Sequence, residues 1–164
     1  MAGDLTALDK VDSEHQRAYI RALNILGRRD HTEAELIKKL TLAKFSPSSI
    51  KNCINQLKKG KLINDYKFAL NWGGYAIRSG RSYGIKLQME LKRRGVAAGI
   101  IAKAISELTE EYKEQEVLEN IVSKRFASFN HATSEVKEKQ RVYSYLQRRG
   151  FSISSISDFF NRNS

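Results

Sequence analysis

One apolar pattern occurs three times along this chain, and it limits the possible folds more than any other feature. Leu36-x3-Leu40-x3-Lys44-Phe45-x4-Ile50-x3-Ile54 is followed by Leu87-x3-Leu91-x3-Gly95-Val96-x4-Ile101-x3-Ile105. The third copy is Val142-x3-Leu146-x3-Gly150-Phe151-x4-Ile156-x3-Phe160. An interval of 51 residues separates Leu40 from Leu91, and 55 separate Leu91 from Leu146. Near-regular internal repetition means one helical unit stacked on itself. The expected fold is all-α: three tandem three-helix repeats forming an elongated, curved helical solenoid. Such molecules present surfaces to macromolecules rather than enclosing small substrates.

The 164 residues divide by this reading into a flexible N-terminal arm (1–13) and three repeats, 14–63, 64–108 and 109–164. Hydrophobic residues make up 41% and charged residues 29%, a globular balance. One proline, and no sustained period-two alternation, favour helices throughout. Cys53 has no second cysteine to pair with, the first residues lack the apolar core of a signal peptide, and no run is long enough to span a membrane. A cytoplasmic monomer away from the membrane is expected.

In the first repeat Tyr19, Ala22, Leu23 and Leu26 share a helical face that stops at Gly27. Thr32-Glu33-Ala34-Glu35 reads as a capping box opening a helix with Leu36, Ile37 and Leu40 inward. Ser46-Pro47 starts the next, which buries Ile50, Ile54 and Leu57 and ends at Gly60. In the second, Asn64-Asp65 opens a helix whose face is Phe68, Ala69, Trp72, Tyr75 and Ala76. Gly73-Gly74 within it points to close helix packing or a kink. In the third, Thr109-Glu110-Glu111 reads as a cap, and residues 128–134 as the longest polar loop.

Net charge is +11 and the isoelectric point about 9.8, which points to a polyanionic partner. The charge is segregated. Between Arg78 and Arg94 six cations (Arg78, Arg81, Lys86, Lys92, Arg93, Arg94) face one acid, Glu90. Between Lys137 and Arg149 five cations, among them Arg141, Arg148 and Arg149, face Glu138. Glu107 to Glu119 holds six acids against Lys113. Two of the basic helices end in Arg-Arg-Gly. Cations there complement the helix dipole, and equally could form a repeated edge for phosphates or carboxylates. Tyr83, beside Arg81 in a helix break, is the better candidate among the aromatics for an exposed contact, whereas Phe68, Trp72 and Tyr75 are expected in the core.

His15, His31 and His131 are scattered with no ligand partners at metal spacing, and there is no P-loop, GxSxG or paired cysteine. No catalytic residue, cofactor or metal is expected.

The stretch from Leu62-Ile63-Asn64-Asp65-Tyr66-Lys67-Phe68-Ala69 to Gly84-Ile85-Lys86-Leu87-Gln88-Met89-Glu90-Leu91-Lys92-Arg93-Arg94-Gly95-Val96 resembles the RecX family of regulatory proteins. Ala22-Leu23-x2-Leu26-x2-Arg29-x-His31-Thr32-x2-Glu35-Leu36 upstream and Leu146-x3-Gly150-Phe151-x4-Ile156 downstream are similar too. The resemblance covers about residues 18–160. It implies a non-catalytic protein that binds the RecA recombinase and its filament on single-stranded DNA, lies in the filament groove, and limits recombinase, ATPase and co-protease activity in DNA repair and the SOS response. Arg78, Arg81, Lys86, Lys92, Arg93, Arg94, Arg141, Arg148 and Arg149 are the residues expected to meet the filament or its DNA. The rival reading is an independent helix-turn-helix-like DNA-binding protein. It fits less well, because the third helices open on Pro47-Ser48-Ser49, Ala97-Ala98-Gly99 and Ile153-Ser154-Ser155, too small and uncharged to read bases.

Overall fold

A computed structural model describes residues 3–130 and 132–162, the first ten of these as helical backbone only. The described residues form nine α-helices and no strand: α1 (Gly3–Leu26), α2 (Glu33–Leu42), α3 (Pro47–Lys59), α4 (Asp65–Arg78), α5 (Gly84–Arg93), α6 (Ala98–Glu111), α7 (Glu114–Arg125), α8 (Val136–Arg149) and α9 (Ile153–Arg162). They make two compact units. One holds the chain up to Phe68 together with Arg94–Val96, and the other holds Ala69–Arg93 together with the chain from Ala97.

In the N-terminal unit Ala18 and Ala22, one turn apart on α1, let the backbone come close to α3. Leu36 and Leu40 of α2 and Ile50, Cys53, Ile54 and Leu57 of α3 close the core. The α3 N-terminus is tied to α1 by charge. Glu14 accepts from the Ser46 amide (3.0 Å), the Ser46 hydroxyl (2.6 Å) and the Ser49 hydroxyl (2.8 Å). The Ser46 hydroxyl and amide hold this carboxyl below its usual range.

The C-terminal unit repeats the device. Glu114, at the start of α7, accepts from the Ser152 amide (2.6 Å) and hydroxyl (3.2 Å) ahead of α9. The sequences around the two sites match, Phe45-Ser46-x-Ser48-Ser49-Ile50 against Phe151-Ser152-x-Ser154-Ser155-Ile156. At α6 the corresponding residue is Ala97, which offers no side-chain cap. Asp65 is spent elsewhere, accepting from the Glu33 amide at the α2 N-terminus (2.9 Å).

The second helices of the three copies end alike. Lys44, Gly95 and Gly150 all adopt left-handed backbone, with φ of 65°, 82° and 98°. Two of them must be glycine for a further reason. A Cβ on Gly95 would strike Ala34, and one on Gly150 would strike the Tyr83 carbonyl oxygen. The chain leaving α5 and the chain leaving α8 thus each press on the start of an earlier second helix. In the N-terminal unit the Thr32 hydroxyl donates to the Arg94 carbonyl (2.6 Å), and in the C-terminal unit the Tyr83 amide donates to the Arg149 carbonyl (2.8 Å).

Several local expectations change. Residues 3–13, read as a loose arm, continue α1, since nothing between Asp4 and Leu26 breaks a helix; Met1 and Ala2 lie outside the described residues. Only half the capping box forms. Thr32 accepts from the Glu35 amide (3.1 Å), but Glu35 turns to Arg29 and Arg94 instead of reaching back. Thr109-Glu110-Glu111 does not cap α7 but forms the last turn of α6, where the Thr109 hydroxyl bonds back to the Ile105 carbonyl (2.9 Å). The stop of α3 at Gly60 holds, with Gly60 as its C-cap, and Lys61 beyond it takes the left-handed backbone. Leu23, Ile37 and Tyr75 stand partly or largely in solvent, because each lies at the margin of its apolar stripe. Gly73 resolves in favour of close packing: a Cβ there would sit 2.5 Å from Leu108 Cδ1.

Candidate functional site

Several cations of the C-terminal unit gather around aromatic rings. Tyr145, half-buried on α8, has the Arg149 guanidinium 4.7 Å from its ring centre and that of Arg125 at 5.0 Å. Phe126 meets the same ring edge-on at 5.3 Å, and Arg141 lies over Phe126 at 5.9 Å. The cluster extends through the α4–α5 turn. The Arg81 carbonyl accepts from Arg149 Nη1 (3.2 Å) and Lys86 Nζ (3.1 Å), while the Arg81 guanidinium lies over Trp72 at 5.8 Å. Each cation–ring contact is worth about 0.5–1 kcal/mol at an exposed site, enough to bias the orientation of a guanidinium while using none of its N–H donors.

The electrostatics are one-sided. Among the described residues, none of Arg81, Arg125, Arg141, Arg148 and Arg149 is ion-paired with a carboxylate. Lys86 reaches Glu90 at 4.0 Å. A surface of unpaired guanidiniums held by rings can bind phosphates or carboxylates, and flat groups can stack on it.

The nine residues singled out in the sequence therefore separate. Arg81, Lys86, Arg141 and Arg149 come together in this cluster. Lys92, Arg93 and Arg148 are exposed, with no ion-pair partner among the described residues. Arg78 lies back across Gly74, donates to the Tyr112 hydroxyl (2.6 Å) and lines a polar recess with Glu107 and Glu111. Arg94 belongs to the N-terminal unit, where it pairs with Glu35 at 2.7 Å and lies over Phe68 at 5.9 Å. Burial raises the Glu35 carboxyl, but the Arg29 hydrogen bond and the charges of Arg29 and Arg94 more than offset it, and its pKa falls below the usual range.

Sequence reasoning missed Arg125, Phe126 and Tyr145. The available signal was the interleaving of base and ring in Arg125-Phe126 and in Tyr143-x-Tyr145 ahead of Arg148-Arg149. Tyr83, the candidate among the aromatics for an exposed contact, is buried. Tyr83 stacks on Phe151 (5.1 Å, 2° between planes) and donates to the Tyr112 carbonyl (2.8 Å), and its pKa is pushed up to about 12 by burial and the Glu114 charge.

The N-terminal turns of α3 and α9 use their serines on Glu14 and Glu114, which leaves them unsuited to base readout. Among the described residues no group of three His, Cys, Asp or Glu side chains could hold a metal, and no helix is long and apolar enough to cross a membrane. His31 is buried against the Arg29 carbonyl (2.9 Å), His15 contacts Gln56 (2.9 Å), and His131 lies outside the described residues.

These features define a class: an all-helical protein of three-helix domains carrying a cationic, ring-lined surface. Residues 18–57 match the RecX first three-helix domain, and residues 111–160 the RecX third three-helix domain. A regulatory protein RecX of Syntrophotalea carbinolica is 31% identical over 88% of this chain and 94% of its own length; that of Trichlorobacter lovleyi is 29% identical over the same shares. A crystal structure of a regulatory protein RecX superposes with a TM-score of 0.79 at 23% identity, covering 99% of this chain and 78% of that one. RecX from Lactobacillus salivarius gives 0.71 at 22% identity, covering 92% and 96%. The chain belongs to the RecX family of regulatory proteins, and it is a regulator rather than an enzyme.

Proposed function

We propose that this protein binds the RecA recombinase and its filament on single-stranded DNA, lies in the filament groove, and limits recombinase, ATPase and co-protease activity during DNA repair and the SOS response. Family membership supplies the class of regulator. The observation that carries the contact chemistry is the gathering of the Arg125 and Arg149 guanidiniums on the Tyr145 ring, with Arg141, Arg81 and Lys86 around it. A RecA filament offers two anionic targets, acidic side chains and the phosphates within, and both attract this surface. The protein acts as a cytoplasmic monomer, and its three-helix repeats (14–63, 64–108, 109–164) give it the means to touch successive protomers. Binding in the groove excludes other substrates. It also biases the ATP cycle to the extent that one protomer arrangement is bound better than another.

The test is binding of Arg125→Ala/Arg149→Ala to RecA filaments and, separately, to bare single-stranded DNA, each across a salt series. Weaker filament binding with a shallower salt slope supports the reading. Parent-like filament binding would remove the cluster from the interface.

A further inference from the structure

On the C-terminal unit, an open groove of about 580 Å³ runs between α5 and α6. Ile85, Met89 and Lys92 line one wall, at positions i, i+4 and i+7 of α5, and Ile101 and Ile105 line the other, with Ala98 and Ala102 as low points of α6. Ile85 is 61% exposed and Met89 51%. Large apolar side chains left in water along a basic helix are a cost the fold does not require, because α5 already packs through Leu87 and Leu91.

We propose that this groove seats an amphipathic helix of a protein partner, one presenting two apolar side chains a turn apart and a carboxylate on the following turn. Two parallel ridges with small residues between them accept a helix, and methionine adapts to its side chains. Charge sets the third feature. Among the described residues, Lys92 is the only charged one lining the groove. The one acid of α5, Glu90, is turned away to the Ser82 hydroxyl (3.1 Å) and Lys86 (4.0 Å). Nucleic acid does not suit walls without rings or converging cations. A second copy of this chain brings a net charge of +11 against a cationic edge. The proposal rests on the reading that the partner is a protein filament rather than free DNA, and it adds a contact that DNA does not share.

The test uses Ile85→Gln/Met89→Gln, which keeps the charge and the helix propensity. Against RecA filaments the variant should bind at least tenfold more weakly than the parent, while its affinity for a bare labelled oligonucleotide and its melting temperature stay put. Equal filament binding by parent and variant overturns the groove and leaves the RecA reading standing. If the parent itself does not bind filaments, that reading falls, and the groove is judged on a synthetic helical peptide with Leu at i and i+4 and Glu at i+7. Movement of the Ile85, Met89, Ile101 and Ile105 methyl signals in the full-length protein supports it, and unmoved signals overturn it. Self-association of the parent that the variant abolishes makes the occupant a second copy, and overturns the proposal as well.

Discussion

The Thr32 hydroxyl donates to the Arg94 main-chain carbonyl at 2.6 Å, joining the N-terminus of α2 to the end of a helix 62 residues further along the chain. The same oxygen accepts from the Glu35 amide, and the residue is completely buried. Thr32→Val keeps the shape and removes both bonds. It should cost about 1–2 kcal/mol, by losing a cap and orphaning a buried carbonyl. Calorimetry should read a melting point about 3–6 °C lower, with Thr32→Ser recovering most of it. An unchanged melting point would mean the two bonds are replaced by water at no cost.

The left-handed positions after α2, α5 and α8 should respond in opposite directions. Gly150→Ala forces a Cβ against the Tyr83 carbonyl and should destabilise by about 1–3 kcal/mol. Lys44→Gly removes a left-handed side chain from an exposed position and should stabilise by up to about 1 kcal/mol. Urea unfolding of both variants checks the pair. Two losses of equal size would show that the glycines serve chain flexibility rather than close approach.

Within helices, Gly73 and Gly99 separate packing from propensity. Gly73→Ala meets Leu108 at 2.5 Å and should cost about 1–3 kcal/mol. A Cβ at Gly99 meets nothing within 4 Å, and Gly99→Ala should stabilise by about 0.5–1 kcal/mol. Thermal melts of the two single variants would contradict this if both moved the same way.

Acid sensitivity should follow Glu14. Its folded pKa lies below the unfolded value of 4.5, so its stabilisation is present above that value and is lost as pH falls through the folded pKa. Glu14→Gln should be less stable at neutral pH, and its stability should fall less steeply on acidification below pH 4.5 than the parent's. At the alkaline end Tyr83 works in the other sense of titration. With its pKa raised from 10.0 to about 12, the folded state keeps a proton the unfolded chain releases, so stability declines across that interval. Absorbance at the tyrosinate band should show one tyrosine titrating late, and Tyr83→Phe should abolish that late step.

The helices were legible because their caps, apolar spacing and glycine stops are local signals. Ser46-Pro47 and the Leu36/Leu40 and Leu87/Leu91 pairs mark their elements without reference to anything distant. What stayed hidden depends on partners far along the chain. Glu14 and Glu114 each reach a serine more than thirty residues away, and Tyr83 is buried by partners as distant as Tyr112 and Phe151. The basic surface was legible as segregated charge. Its focus was not, because Arg125 joins Arg149 only through the Tyr145 ring, and Arg94, alike in sequence to Arg149, is held by Glu35 instead.

We propose that the protein acts on the RecA filament and does not merely sequester DNA. The direct measurement is the single-stranded-DNA-dependent ATPase rate of RecA, titrated with this protein in the presence of excess oligonucleotide too short to support a filament. The expected result is inhibition at protein well below the RecA concentration, unchanged by the oligonucleotide. Inhibition that disappears in proportion to the added oligonucleotide, or no inhibition at all, would contradict it.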